Sequence, residues 1–237
     1  MSEEAPRRRP RLVGLLALAL VVGVLGFAIV SISVGTGTEN GGDITITGAA
    51  EVQSLLGGIQ QDGPRLGPPD APVTIQVFND LQCDPCSNWN RDVIVPLIAG
   101  PVRAGDLQLI YHNFPMTESG FFLGAYGAAA AAKQDYEWQF AELFFANQDE
   151  AAKHGADQEF LNNIARGVGI SSFNVEQWQR DMNDGDITST LQADEKLTAD
   201  RRLPVGPAVV VGGPNGSRQL TRSPSLAQVQ AAIAAVK

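Results

Sequence analysis

Two apolar runs with one helical stretch between them constrain this chain more than any other feature. The first, VTIQVF (Val73–Phe78), is β-branched and aromatic with almost no charge, which reads as a strand buried on both faces. The second is LQLIYHNF, residues 107–114. Between them, SNWNRDVIVPLIAG has helical spacing, with Val93, Leu97 and Trp89 on one face and Pro96 expected to kink it. Strand, helix and strand in that order make a βαβ unit, hence a parallel pair.

The rest of the chain is arranged around that unit. From Thr117 to about Arg202 the spacing is helical, in about four segments separated by glycine-containing breaks. Strand character returns in PAVVV (207–211), followed by a GGPNG turn and RQLTR, which predicts a hairpin. A closing helix follows in SLAQVQAAIAAVK, where Ser225 and Gln228 fit a capping box. Ahead of the first strand, AAEVQSLLGGI suggests a short amphipathic helix, and QDGPRLGPPDAP reads as a cluster of turns. The helical block is too long for a simple crossover and reads as an inserted subdomain.

The first forty residues are of another kind. Arg7, Arg8, Arg9 and Arg11 precede an uncharged stretch from Leu12 to Val34, which spans roughly 34 Å as a helix, enough to cross a bilayer. The basic tail, 1–11, is then cytoplasmic and the remainder lies outside the membrane. A cleaved signal peptide is the alternative, with Ser33-Val34-Gly35 as its cleavage site, but its apolar core normally runs only ~7–15 residues. Residues 35–60 read as a linker holding the short helix, and 61–237 as the main domain. Without residues 1–34 there remain 13 basic against 24 acidic side chains, a net charge of −11. That sign excludes nucleic acid as a partner, because phosphate binding rests on Lys and Arg.

Chemistry concentrates at the junction of the first strand and its helix. Cys83 and Cys86 are the only cysteines, in NDLQCDPCSNW. Three-residue spacing brings both sulfurs within one turn, close enough to bond. Cys83 falls at the helix start, where unpaired backbone N–H groups and the helix dipole favour a thiolate, and Pro85 suits the opening turn. As a dithiol, Cys83 attacks a disulfide of another protein and Cys86 resolves the mixed disulfide. Three plainer uses stay open: a zinc site, a structural staple and an inert pair. For zinc, only His112 and His154 remain as further ligands of the usual kind, and they lack the close spacing of a finger. A staple closing so small a loop adds little stability. No metal and no cofactor beyond the cysteine pair is expected.

Four segments, in order, resemble the DsbA-like branch of the thioredoxin superfamily, the extracytoplasmic thiol-disulfide oxidoreductases. They are LGPPDAPVTIQVFNDLQCDPC, GAAAAAKQDYEWQFAELFFANQ, FLNNIARGVGISSFNVEQWQRDM and LPVGPAVVVGG. The resemblance, over about residues 60–237, implies an α/β thioredoxin fold with an inserted helical subdomain at about 117–202, and the apolar stretch at 12–34 places one transmembrane helix ahead of it. It implies Cys83 as nucleophile, Cys86 as resolving cysteine, and a substrate-binding segment at Gly206-Pro207 in which Pro207, rather than Pro204, is cis and faces the pair. Asp84 stands where strongly oxidising relatives commonly carry Pro-His, and its like charge beside the thiolate predicts a less oxidising pair. Asp80 is a candidate proton relay or a loop cap; Trp89 frames the site or packs the helix. The implied partners are reduced or misoxidised exported proteins and a DsbB-like or VKOR-like membrane oxidant. Oxidase is the expected direction, with reductase or isomerase service as the alternative, and a binding or chaperone module as the reading from a different class.

Overall fold

The computed structural model describes residues 44–115, 123–169 and 172–237. The expected anchor at 12–34, the basic tail, most of the first half of the linker and residues 117–122 and 170–171 of the expected insertion lie outside them. Among the described residues no helix is long and apolar enough to cross a membrane.

α1 (Ala49–Leu56) buries Val52 and Leu56 and ends at Gly57. The turn-rich stretch that follows pairs with itself, as β1 (Gln61–Asp62) and β2 (Arg65–Leu66), a hairpin shorter than sequence periodicity can reveal. β3 (Val73–Asn79) then runs through the middle of the sheet. Its Val73, Ile75 and Val77 point into the main core, and Phe78 points to the opposite face.

α2 (Asp84–Trp89) and α3 (Val95–Leu97) belong to one helical rod that is widened twice, at the π-helical turns Asn90–Ile94 and Ile98–Val102. Pro96, where a kink is expected, lies between these two turns. Proline has no N–H to give the preceding turn, and the ladder skips to longer bonds such as Val95 N–H to the Asn90 carbonyl. β4 (Leu107–Asn113) lies parallel to β3 in the register Asn79 opposite Asn113, while β2 borders β4 on its other edge.

Among the described residues the helical block comprises six helices, where about four are expected: α4 (Leu123–Ala132), α5 (Glu137–Ala146), α6 (Gln148–His154), α7 (Gln158–Gly167), α8 (Val175–Asp181) and α9 (Gly185–Asp200). The breaks expected near 155, 167–169 and 185 are present, and the extra divisions fall at residues 133–136 and at Asn147, where no glycine or proline announces them. Asp157, Asn174 and Asp184 cap α7, α8 and α9 through their side chains. Phe140, Phe144, Phe160 and Trp178 are fully buried and pair within the block, Phe140 with Trp178 and Phe144 with Phe160, while the buried Trp138 faces Tyr111 of β4. Gly127 of α4 admits that packing: a Cβ there would stand 2.6 Å from Phe140 Cζ and 3.3 Å from Trp178 Cζ2. Gly127→Ala is therefore expected to cost roughly 1–3 kcal/mol by overpacking, read as a lower urea midpoint with unchanged slope.

β5 (Ala208–Gly213) returns antiparallel to β3, placing Ala208 opposite Phe78, and turns into β6 (Gly216–Leu220) at the sheet edge. α10 (Leu226–Val236) opens with the reciprocal Ser225–Gln228 capping box and packs on β5 and β6. The strand order is β1-β2-β4-β3-β5-β6. This is a thioredoxin-like α/β fold carrying a helical insertion between β4 and β5.

Candidate active site

The ends of β3 and β4 and the start of β5 meet at one edge of the sheet, and the cysteine loop rises from there. Residues 80–83 leave β3 in a turn that Asp80 shapes. Its Oδ1 accepts the Gln82 N–H at 2.9 Å, and its carbonyl accepts the Cys83 N–H at 3.4 Å. Asp80 is half-buried in this turn, which is the capping position weighed for it from sequence.

Cys83 precedes the first helical residue with an extended backbone, and its carbonyl accepts the Cys86 N–H at 2.9 Å. The two cysteines are joined by a disulfide, with Cα atoms 5.2 Å apart. Their surroundings differ. Cys83 is half-buried, Asp84 and Pro85 are exposed beside it, and Cys86 is fully buried one turn inward. An incoming thiolate therefore has access to one sulfur of the two. When that sulfur is attacked, the buried sulfur is the leaving group.

The insertion holds this loop from the other side. Gln148 Nε2 donates to the carbonyls of Leu81 at 2.6 Å and Cys83 at 3.1 Å. Gln82 Oε1 accepts the Gly124 N–H at 3.2 Å, and Ser87 Oγ donates to the Phe145 carbonyl at 3.3 Å. Asn90, one turn after Cys86, donates its Nδ2 to both carboxyl oxygens of Glu142, at 3.0 and 2.9 Å. Trp89 is buried and its Nε1 donates to the Pro224 carbonyl at 2.8 Å, so it ties the helix to the loop before α10. The same loop reaches the start of β5, since the Ser223 N–H donates to the Pro207 carbonyl at 2.9 Å.

Pro207 is buried and lies at the dithiol end of the sheet, next to Ala208. The expectation of a cis bond there is corrected: among the described residues there is no cis peptide bond, so Gly206–Pro207 is trans. Gly206 has φ +117°, a conformation open to glycine, so the chain turns at that residue while the peptide bond keeps the favoured isomer. Val205 beside it is exposed.

Carboxylates gather around the ends of β3 and β4. Burial pushes the Glu142 carboxyl up to about 7, partly opposed by its bonds from Asn90. Burial and the charge of Asp194 raise Glu137 well above the usual carboxylate range, although Asn113 Nδ2 donates to it at 3.2 Å. Burial, with Glu137, Asp80, Glu142 and Asp194 nearby, raises the Tyr111 hydroxyl. His112 pairs with Asp194 at 2.7 Å and stacks on Phe78. His154 sits by Glu150 on the outer surface of α6. Glu142, Gln148, Asn90 and Gln82 were not singled out from sequence. For Glu142 a signal existed: it interrupts the aromatic run around Trp138, Phe140, Phe144 and Phe145.

A disulfide with one reachable and one sheltered sulfur, at a helix start on a thioredoxin-like sheet, defines a thiol-disulfide exchange protein. Residues 60–235 match the family described as Thioredoxin, and the chain belongs to it. Among curated relatives, "Probable disulfide bond formation protein D" of Bacillus anthracis is 29% identical over 150 residues, covering 62% of this chain and 69% of that protein. "Disulfide bond formation protein D" of Bacillus subtilis is 25% identical over the same length, 62% and 67% of the two chains. Oxidised BdbD from Bacillus subtilis shares the fold, with a TM-score of 0.61 and 21% identity over 73% of this chain and 91% of that one. Wolbachia pipientis α-DsbA1 does likewise, with 0.60 and 19% over 76% and 92%. The chain is a protein-disulfide oxidoreductase.

Proposed function

We propose that the protein is an extracytoplasmic, membrane-tethered oxidase that passes its Cys83–Cys86 disulfide to reduced exported proteins. The observation that carries this reading is the unequal shelter of the two bonded sulfurs. A substrate thiolate attacks Cys83 Sγ, forming a mixed disulfide, and Cys86 leaves with the electron pair and takes up a proton. A second substrate thiolate then attacks the substrate sulfur, and Cys83 departs as a thiolate. The substrate loses two electrons and two protons as its disulfide forms; the enzyme pair gains both electrons and, at Cys86, one proton, while the other proton passes to solvent because Cys83 stays a thiolate. A DsbB-like or VKOR-like membrane partner would take those electrons away and restore the disulfide. The names of the Bacillus relatives support the direction, and the basic, then apolar, N-terminus supports the tether.

Gly206 and Pro207 would offer backbone to a bound substrate strand, and Asp80 would assist proton movement at the turn. Asp84 sets the poise. A fixed negative charge beside the departing Cys83 thiolate disfavours the reduced pair. The potential is therefore expected between the strong oxidant value of about −120 mV and the reductant value of about −270 mV. Asp84→Asn should raise it by on the order of 20 mV, measured against glutathione. A wild-type value at or below −270 mV would favour reductive service instead.

A further inference from the structure

A groove of about 960 Å³ runs alongside the active-site helix, walled by α1, by α2 and the turn after it, and by the junction of α5 and α6. Four carboxylates line it: Glu51, Asp84, Asp149 and, at its floor, Glu142. Among the described residues the one lining cation is Arg91, and it is occupied by Asp92 at 3.2 Å and Asn88 at 2.9 Å. Among the described residues none of the four acids forms an ion pair. The floor also holds an unmet polar atom. Asn90, 2% exposed, spends its Nδ2 on Glu142, and its Oδ1 is buried without a hydrogen-bond partner. Apolar side chains, Val52, Val95 and Phe145 among them, share the walls with these polar groups.

An apolar channel with carboxylates along it fits a side chain with an aliphatic stem and a cationic tip. The groove begins at Asp84 and Ser87, in the same helical turns as the cysteines, so a chain bonded to Cys83 can continue into it. We propose that this groove seats the cysteine-bearing polypeptide during exchange, and that it selects segments with a lysine or arginine flanking the reacting cysteine on the α1/α6 side. The inference rests on the exchange chemistry proposed for Cys83 and adds a substrate class to it.

The test uses single-cysteine peptides that differ only in carrying Lys, Gln or Glu at a flanking position, placed in turn on each side of the cysteine. Their rates of reaction with the oxidised protein are followed by quenched-flow mass spectrometry. At low ionic strength the Lys peptide is expected to react about tenfold faster than the Glu peptide for one placement, a preference that fades in high salt. In the double variant Glu51→Gln, Asp149→Asn the Lys/Glu rate ratio should fall to within about twofold of one. Asp70→Asn, on an exposed loop away from the groove, should keep the wild-type ratio. A wild-type ratio near one overturns the proposal. So does a ratio the double variant leaves unchanged, as happens if Asp84 alone attracts cations or if residues before 44 fill the groove. Reaction with dithiothreitol is the separate control: a disulfide that dithiothreitol cannot open overturns the exchange reading itself.

Discussion

Cys83→Ser is expected to reduce disulfide transfer to a reduced, unfolded protein to the spontaneous rate, a loss on the order of a thousandfold or more. Serine offers no sulfur for a mixed disulfide, and the variant leaves Cys86 buried where a substrate thiolate has no approach. Unfolding does not account for such a loss. A disulfide closing so short a loop contributes on the order of 2 kcal/mol, far less than one closing a long loop, so the variant should keep its circular dichroism spectrum. Cys86→Ala gives the complementary result. Its lone Cys83 thiolate can still attack a disulfide of a client protein, but no neighbouring thiol releases the product, and mixed disulfides with client proteins should accumulate on non-reducing gels. If Cys83→Ser performed as well as wild type, the disulfide would be a staple and the chain a binding or chaperone module.

The second large effect concerns stability against pH. Burial lifts Glu142 to about 7, above its ordinary value of 4.5. Between those values the folded protein holds a proton that the unfolded chain has released, so stability falls as pH rises through that window and levels off above it. The loss amounts to about 3 kcal/mol. Glu137, raised in the same direction, adds to the slope. Glu142→Gln keeps the shape and an acceptor for Asn90 without a charge to bury. It should match wild type near pH 4 and exceed it by up to about 3 kcal/mol at pH 8 in urea titrations. Equal stability of the two proteins at pH 8 would show that the carboxylate is not confined as described.

Much of this architecture is visible in the sequence because its causes are local. β3 declares itself through an uninterrupted β-branched run, the Ser225–Gln228 cap through its spacing, and the β5–β6 hairpin through its turn residues. Cys83 and Cys86 are legible for the same reason, three residues apart at a strand-to-helix junction. What escapes is set by distant parts of the chain. β2 has only two residues and exists because β4 offers it an edge. Gln148 is an ordinary surface-type residue until the fold brings it to two carbonyls more than sixty positions away. The trans bond before Pro207 and the positive φ of Gly206 lie side by side in one segment, and the resemblance to DsbA-like proteins did not anticipate the trans isomer.

The contacts from Gly124, Glu142, Phe145 and Gln148 to the cysteine loop also bear on modular engineering. An insertion that joins its host at two points of the chain looks easy to trim away or exchange between homologues. Here, excision would strip donors from the carbonyls of Leu81 and Cys83 and a partner from Asn90, all within a few residues of the reacting sulfurs. A graft would therefore need to carry the Gln148 amide and the Glu142 carboxyl with it. The smallest transplantable redox unit in this protein is the sheet together with its helical block, although the chemistry itself spans four residues.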